Sequence, residues 1–229
     1  MNQEQLAYHY NHLYQESANK ILNNNLTIDT LIDSTTDSRF GITLLIRPNA
    51  EVKQNIEKFL EEIRLNEPDQ YYYPASDLHV TILSIISCYD GFDLFQIAVN
   101  QYSDVIRKSL EAVRDFEIEF KGVTVSDAAV MIQGYPKDES LRNLRENLRE
   151  NFKQSGLQQS IDQRYSIVTA HITVARFKAK LQNANAFLES LDKYKNHQFG
   201  ISKVSKAELV YNDWYQRERF VQKLKEFEL

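Results

Sequence analysis

Two stretches far apart in this 229-residue chain carry the same local pattern, Leu78-His79-Val80-Thr81-Ile82-Leu83 and Ala170-His171-Ile172-Thr173-Val174-Ala175. Each sets a His-x-Thr triplet among apolar, β-branched residues, which is strand-forming chemistry. Side chains alternate across a strand, so the imidazole and hydroxyl of each triplet share one face. Val80 and Ile82, like Ile172 and Val174, take the other. The surroundings repeat as well. A strand at Phe40–Ile46 and a helix at Ala50–Leu65 lead to the first triplet; a strand at Ala128–Tyr135 and a helix at Asp138–Gln154 lead to the second. Ile42 precedes His79 by 37 residues, and Val130 precedes His171 by 41. A duplicated strand–helix–strand unit predicts two lobes related by a rough two-fold, with the triplets facing one another across the groove between them.

The rest of the chain fits around that frame. Residues 1–38 read as an N-terminal helix and its connection, and residues 39–229 as the two-lobed domain. Leu6, Tyr10, Leu13, Tyr14, Ile21 and Leu22 recur at helical spacing over Asn2–Leu22. His9 and His12 lie on that helix among polar neighbours and read as surface residues, not a metal pair. Pro48 ends the first strand and Asn49 caps the following helix. A helix is predicted over Asp93–Val113, with Phe95, Val99, Tyr102, Ile106, Leu110 and Val113 inward. Phe116–Val125 alternates like a half-buried strand, interrupted at Gly122 by a bulge or a close backbone approach. Gly156 stops the Asp138–Gln154 helix. Arg142, Arg145 and Arg149 of that helix sit among glutamates and predict a solvated ion-pair face, not a phosphate grip. A short helix near Asn185–Tyr194 and strands at Ala207–Tyr211 and Phe220–Phe227 complete the chain.

Charge and cysteine usage exclude several functions. The formal net charge of -5 leaves no global basic field to hold a long duplex, although basic residues gathered in one cleft would still suit a small anion. One cysteine, Cys88, rules out a disulfide framework and a zinc site of several thiolates. There is no apolar run of membrane length and no secretion-signal pattern, so a cytoplasmic monomer without membrane contact is expected.

Two imidazoles and two hydroxyls in one cleft match the needs of phosphodiester cleavage. One imidazole takes a proton from the attacking water or ribose hydroxyl and the other gives one to the departing oxygen. The threonine hydroxyls bond the non-bridging oxygens, where charge accumulates. No metal or cofactor is required, and the histidines have no acidic partner at ligand spacing. Tyr73, from the run Tyr71-Tyr72-Tyr73, together with Trp214 and Tyr215, offers aromatic surface for a base. Arg176 is either a phosphate contact or a structural ion pair; in a regular strand it would face away from His171. The rival readings are a nucleotide-binding sensor that turns nothing over, a sugar-directed acid/base enzyme, and two histidines merely satisfied in the core.

These motifs resemble the two-histidine (2H) phosphoesterase superfamily, which includes the 2'-5' RNA ligase-like and cyclic nucleotide phosphodiesterase groups. Phe116-Glu117-Ile118-Glu119-Phe120-Lys121-Gly122 resembles the family's central strand with its glycine, and Arg176 its trailing arginine. Ala170 and Val174 depart from the proline and leucine often found at those places, as in a divergent branch. The resemblance spans residues about 40–229. It implies a bilobal α+β fold, two pseudo-symmetric lobes each with an antiparallel sheet and flanking helices around an active-site cleft, and metal-independent phosphodiester chemistry, with His79 and His171 as the acid/base pair and Thr81 and Thr173 as phosphate ligands. A divergent branch cannot borrow its substrate from the better-known members; the expected substrate is a small nucleotide or RNA end, with a 2',3'-cyclic phosphate, a 2'-5' linkage or a cyclic nucleotide as the candidates.

Overall fold

The computed structural model describes residues Met1–Leu229. The chain runs α1 (Gln3–Leu22), β1 (Arg39–Ile46), α2 (Ala50–Asn66), β2 (Tyr71–Tyr72), β3 (Val80–Asp90), α3 (Val99–Leu110), β4 (Phe116–Val125), β5 (Ala129–Pro136), α4 (Ser140–Ser155), β6 (Ile172–Arg176), α5 (Ala184–Lys193), β7 (Gln198–Val204), β8 (Lys206–Asp213) and β9 (Gln222–Glu228). Two antiparallel sheets result, ordered β3-β1-β8-β9 and β2-β6-β5-β4-β7. Without the two-residue edge strand β2, the orders correspond. In each sheet the strand after a His-x-Thr histidine lies at one end, and the first strand of its own unit lies beside it. The duplication read from the sequence is therefore a duplication of sheets.

The helices cross over. α2 follows β1 but packs on β7 of the other sheet, and α4 follows β5 but packs on β3. Their apolar stripes drive this. α2 buries Val52, Ile56, Phe59, Leu60 and Ile63, each contributing about 1.5–3 kcal/mol relative to exposure. Asn49 caps α2 by accepting from the Val52 N–H at 3.0 Å, and Gly156 ends α4 in the left-handed region at φ 70°. α1 lies across β4 and β5 with Leu6, Tyr10, Tyr14 and Ile21 buried. No helix is long and apolar enough to cross a membrane.

Gly122 has the role its position implied. Its φ is +75°, and a Cβ there would stand 2.5 Å from the Lys195 carbonyl oxygen. Two expectations need correction. The helix predicted from Asp93 begins only at Val99. The Asp93 carboxylate caps a single 3₁₀ turn at Leu94–Gln96, and Ile97 then adopts an extended backbone at φ −129° and ψ 152°. Phe95 consequently points outward, 98% exposed. Strands β2 and β7 were not expected. β7 pairs with β4 from Phe116 to Lys121, and its apolar Ile201 is exposed while its polar Ser202 is buried, which breaks the alternation in its sequence.

One irregularity recurs in both halves. Across β1, Thr81 faces Leu45 and Leu83 faces Leu44, so Ile82 has no partner. Across β5, Thr173 faces Met131 and Ala175 faces Val130, so Val174 has none. Each strand thus bulges directly after its threonine. The extra residue buries two neighbours in succession, Ile82 with Leu83 and Val174 with Ala175, and shifts the pleat by one. The residue three beyond each threonine, Ser84 or Arg176, returns to the triplet's face.

Candidate active site

A single cleft between the sheets gathers His79, Thr81, His171 and Thr173. Each histidine immediately precedes its strand, where its ring can be held from behind. His79 Nδ1 lies 2.7 Å from the Asp77 carbonyl oxygen. A carbonyl only accepts, so Nδ1 carries the proton and the neutral ring keeps its lone pair on Nε2. His171 Nδ1 lies 2.7 Å from Thr169 Oγ1. In both triplets the residue two positions before the histidine fixes the ring.

Both imidazoles are held well below their ordinary range. Burial pushes His79 down to about 4, opposed by the Asp77 carbonyl and reinforced by the charges of Arg47, His171 and Arg176. Burial likewise pushes His171 down to about 4, with Arg145, Arg176 and His9 adding to it. The common cause is a desolvated, positively charged cleft. An anion entering it reverses the electrostatic part of that shift.

Arg176 faces the cleft, contrary to the regular-strand expectation, because the bulge at Val174 turns it there. Its Nε donates to the Tyr73 hydroxyl at 2.9 Å. Tyr73 itself is buried and lines the cleft. Its neighbours in the tyrosine run do other work: Tyr72 donates to the Glu67 carbonyl at 2.6 Å, and Tyr71 packs edge-on to Tyr73.

Arg145 overturns the reading of α4 as a uniformly solvated arginine face. Arg142 is exposed and pairs with Glu139 at 2.8 Å, as expected. Arg145, by contrast, is 3% exposed. Its guanidinium donates at 2.8 Å to three backbone carbonyls, those of Thr81, Ile82 and Thr169. It therefore ties the first His-x-Thr strand to the segment leading into the second. One of its acceptors is Ile82, the residue the bulge leaves unpaired. No carboxylate neutralises it directly, and burial pushes it down to about 10. Helical spacing alone placed Arg145 among its glutamates. The available signal was its place on the side of Leu141, Leu144 and Leu148, the buried stripe of α4.

The far wall holds Trp214 and Tyr215. The Arg39 and Arg164 guanidinium carbons lie 4.9 and 4.7 Å from the Trp214 ring centroid. The Tyr215 hydroxyl donates to Asp29 at 2.8 Å and accepts from Arg39 at 3.1 Å. Arg164 and the exposed Tyr165 also line this end. Cys88 borders the cleft too, but burial pushes its thiol up to about 12, which leaves no thiolate nucleophile. No group of three or more His, Cys, Asp or Glu side chains is placed to hold a metal ion. The chemistry on offer is thus two proton-transferring rings, two hydroxyls and cationic guanidiniums around a space suited to an anion.

The sequence model of the 2'-5' RNA ligase superfamily matches residues 52–211. No curated protein matches the chain significantly. Among solved structures, E. coli LigT complexed with 3'-AMP superposes with a TM-score of 0.58 at 15% identity, covering 83% of this chain and 98% of that one. TT0787 of Thermus thermophilus gives a TM-score of 0.59 at 16% identity, with coverage of 82% and 97%. At such identities the likeness is one of fold.

Proposed function

The chain belongs to the 2'-5' RNA ligase superfamily, and from that premise we propose that it is a metal-independent phosphodiesterase acting on a small nucleotide-like ester. The substrates in view are a 2',3'-cyclic phosphate, a 2'-5' linkage or a cyclic nucleotide. The observation that carries this reading is the convergence of both His-x-Thr pairs in one cleft, each ring held through Nδ1 so that Nε2 is the nitrogen left for chemistry. One ring accepts the proton of the attacking water or hydroxyl, and the other protonates the departing oxygen. Thr81, Thr173 and Arg176 bond the phosphate oxygens as negative charge builds on them.

The electrostatics support an anionic substrate of limited size. The chain's formal charge is -5, yet the cleft presents Arg164 and Arg176 and has Arg145 beneath it. Attraction is therefore confined to a short stretch of phosphate backbone. A neighbouring fold has been observed with 3'-AMP, which supports a nucleotide-sized ligand here.

The test is a panel of cyclic nucleotides, 2'-5' oligonucleotides and RNA ends assayed with EDTA present. Turnover of at least one class is expected to persist in chelator. His79→Ala and His171→Ala are each expected to lose about two to four powers of ten in kcat/KM while retaining native circular dichroism. Full activity in both variants, or complete inactivation by chelator, would overturn the proposal.

A further inference from the structure

We propose that the Asp77 carboxylate is a positioning group for His79: it anchors the Pro74–Asp77 turn to the β8–β9 connection and so fixes the backbone carbonyl that holds the ring. The consequence for rate rests on the phosphodiesterase reading, whereas the geometry stands on hydrogen bonds alone. The donor that the carboxylate uses, the Glu218 N–H, is 141 residues away in the chain. It lies beyond the matched family region, residues 52–211.

His79 depends on one acceptor. Its Nδ1 lies 2.7 Å from the Asp77 carbonyl oxygen, so the direction of that carbonyl decides whether the ring is held. The Ser76 carbonyl and the Asp77 N–H belong to one peptide plane. Arg47 Nη1 donates to the former at 3.1 Å, and the latter donates to the Pro74 carbonyl at 3.0 Å, closing the turn. The side chain is tied down separately. Asp77 Oδ1 accepts from the Glu218 N–H at 3.0 Å and from the Ser76 hydroxyl at 2.8 Å. With the nitrogen and Cβ both set at a tetrahedral Cα, the main-chain carbon bearing the carbonyl can point in one direction only. Leu78, fully buried, holds the other end of that peptide. Asp77 is itself 3% exposed, so water does not substitute for its donors.

The far end of the anchor is equally fixed. Arg217, directly before Glu218, donates through Nε to Asp213 Oδ2 at 2.6 Å and through its N–H to Asp213 Oδ1 at 2.9 Å. Its Nη1 donates to the Ile32 carbonyl at 3.1 Å, and both members of this ion pair are buried. The Phe220 N–H donates to the Arg217 carbonyl at 2.8 Å, which makes Glu218 the second residue of a turn whose start is locked. The Glu218 side chain is exposed and does not line the cleft; its N–H alone reaches Asp77. The same connection carries Trp214 and Tyr215 of the far wall. One loop therefore supplies both that wall and the brace behind His79. His171 needs no such brace, because the Thr169 side chain meets its Nδ1 directly.

Long-range proton–nitrogen NMR of the full chain, with the histidine rings assigned, tests this. The wild type is expected to show His79 neutral as the Nδ1–H form. Asp77→Ala removes the acceptor, and Glu218→Pro removes the donor at a turn position that favours proline. Each is expected to move His79 towards a mixture of tautomers while the His171 signals stay in place. Asp77→Asn keeps an oxygen for the Glu218 N–H and is expected to retain the wild-type pattern. On a cleaved phosphodiester, D77A and E218P are expected to lower kcat about ten- to a hundredfold with KM within about twofold, the scale of a small misplacement of a reacting group. Should D77A fail to fold, E218P carries the same test from outside the cleft. An unmoved His79 in E218P, or a D77N that behaves as D77A, would overturn the proposal and leave Asp77 as a turn residue alone. A moved His79 in E218P, with a wild type that cleaves none of the panel, would uphold the positioning role and overturn the phosphodiesterase reading.

Discussion

Replacing Arg145 by methionine isolates the guanidinium, because methionine keeps much of the aliphatic stem within the buried stripe of α4. Three buried carbonyls, of Thr81, Ile82 and Thr169, lose their charged donor. Leaving a buried acceptor unmet costs about 1–3 kcal/mol each. Against that stands relief of the desolvation of a cation that has no carboxylate partner, itself several kcal/mol. The balance is a loss of about 3 kcal/mol, which for a chain of this size is a fall in Tm of about 10 °C. Guanidinium denaturation followed by circular dichroism measures the first quantity, and thermal unfolding the second. Arg145→Lys retains charge but lacks the planar fork, and is expected to fall between the two. The same substitution removes a cation that depresses His171, so the His171 titration is expected to move upward in R145M. A stability within about 0.5 kcal/mol of wild type, together with an unmoved His171 titration, would refute the account of Arg145 as the tie between the two triplets.

Acidification probes the histidines directly. Unfolded histidine titrates near 6.5, whereas His79 and His171 are held at about 4. Between those values the unfolded chain binds more protons, so stability is full above about pH 6.5 and falls as pH drops towards 4. Each ring contributes up to about 3 kcal/mol to this slope; denaturant titrations at pH 4.5 and 7 are expected to show a smaller difference in a His79→Asn/His171→Asn double variant, and an equal difference would count against buried neutral rings. Gly134→Ala drives a Cβ into the Ala170 carbonyl and is expected to cost several kcal/mol or the fold itself, whereas Gly91→Ala, where a Cβ meets nothing, is expected to cost only its left-handed strain of about 1 kcal/mol; equal melting temperatures for the two would contradict the close approach. Arg176→Met is expected to lower kcat/KM about a hundredfold and to weaken inhibition by inorganic phosphate, and unchanged phosphate inhibition would place Arg176 with Tyr73 as a purely structural pair.

Much of this architecture was legible in the chain because its signals are local. The His-x-Thr pairs sit in unmistakable strand chemistry, Asn49 and Gly156 mark their helix ends, and the Gly122 interruption corresponds to a real close approach. What escaped was set by tertiary contacts. The bulges after Thr81 and Thr173 depend on the register with β1 and β5, which no single strand reveals, so Arg176 was assigned to the wrong face. Arg145 was misread because a buried arginine that bonds only carbonyls leaves no complementary charge in the sequence. The Asp93–Val113 stretch keeps helical apolar spacing through Phe95, yet the turn that Asp93 opens ends at the extended backbone of Ile97.

The two bulges also give the cleft a direction. A frame built from two equivalent sheets, each offering an imidazole and a hydroxyl, would present a bridging phosphate with nearly the same surroundings whichever way round the ester lay. The register shift after each threonine brings one further residue forward on each side, and those residues differ: Ser84 from one strand, Arg176 from the other. A neutral hydroxyl thus stands opposite a fixed cation at related positions. On the proposed phosphodiesterase reading, the two ends of a bound ester would be unequal there, and the scissile bond would have a preferred sense. Exchanging these two side chains, S84R with R176S, would reverse that sense while leaving both His-x-Thr pairs intact.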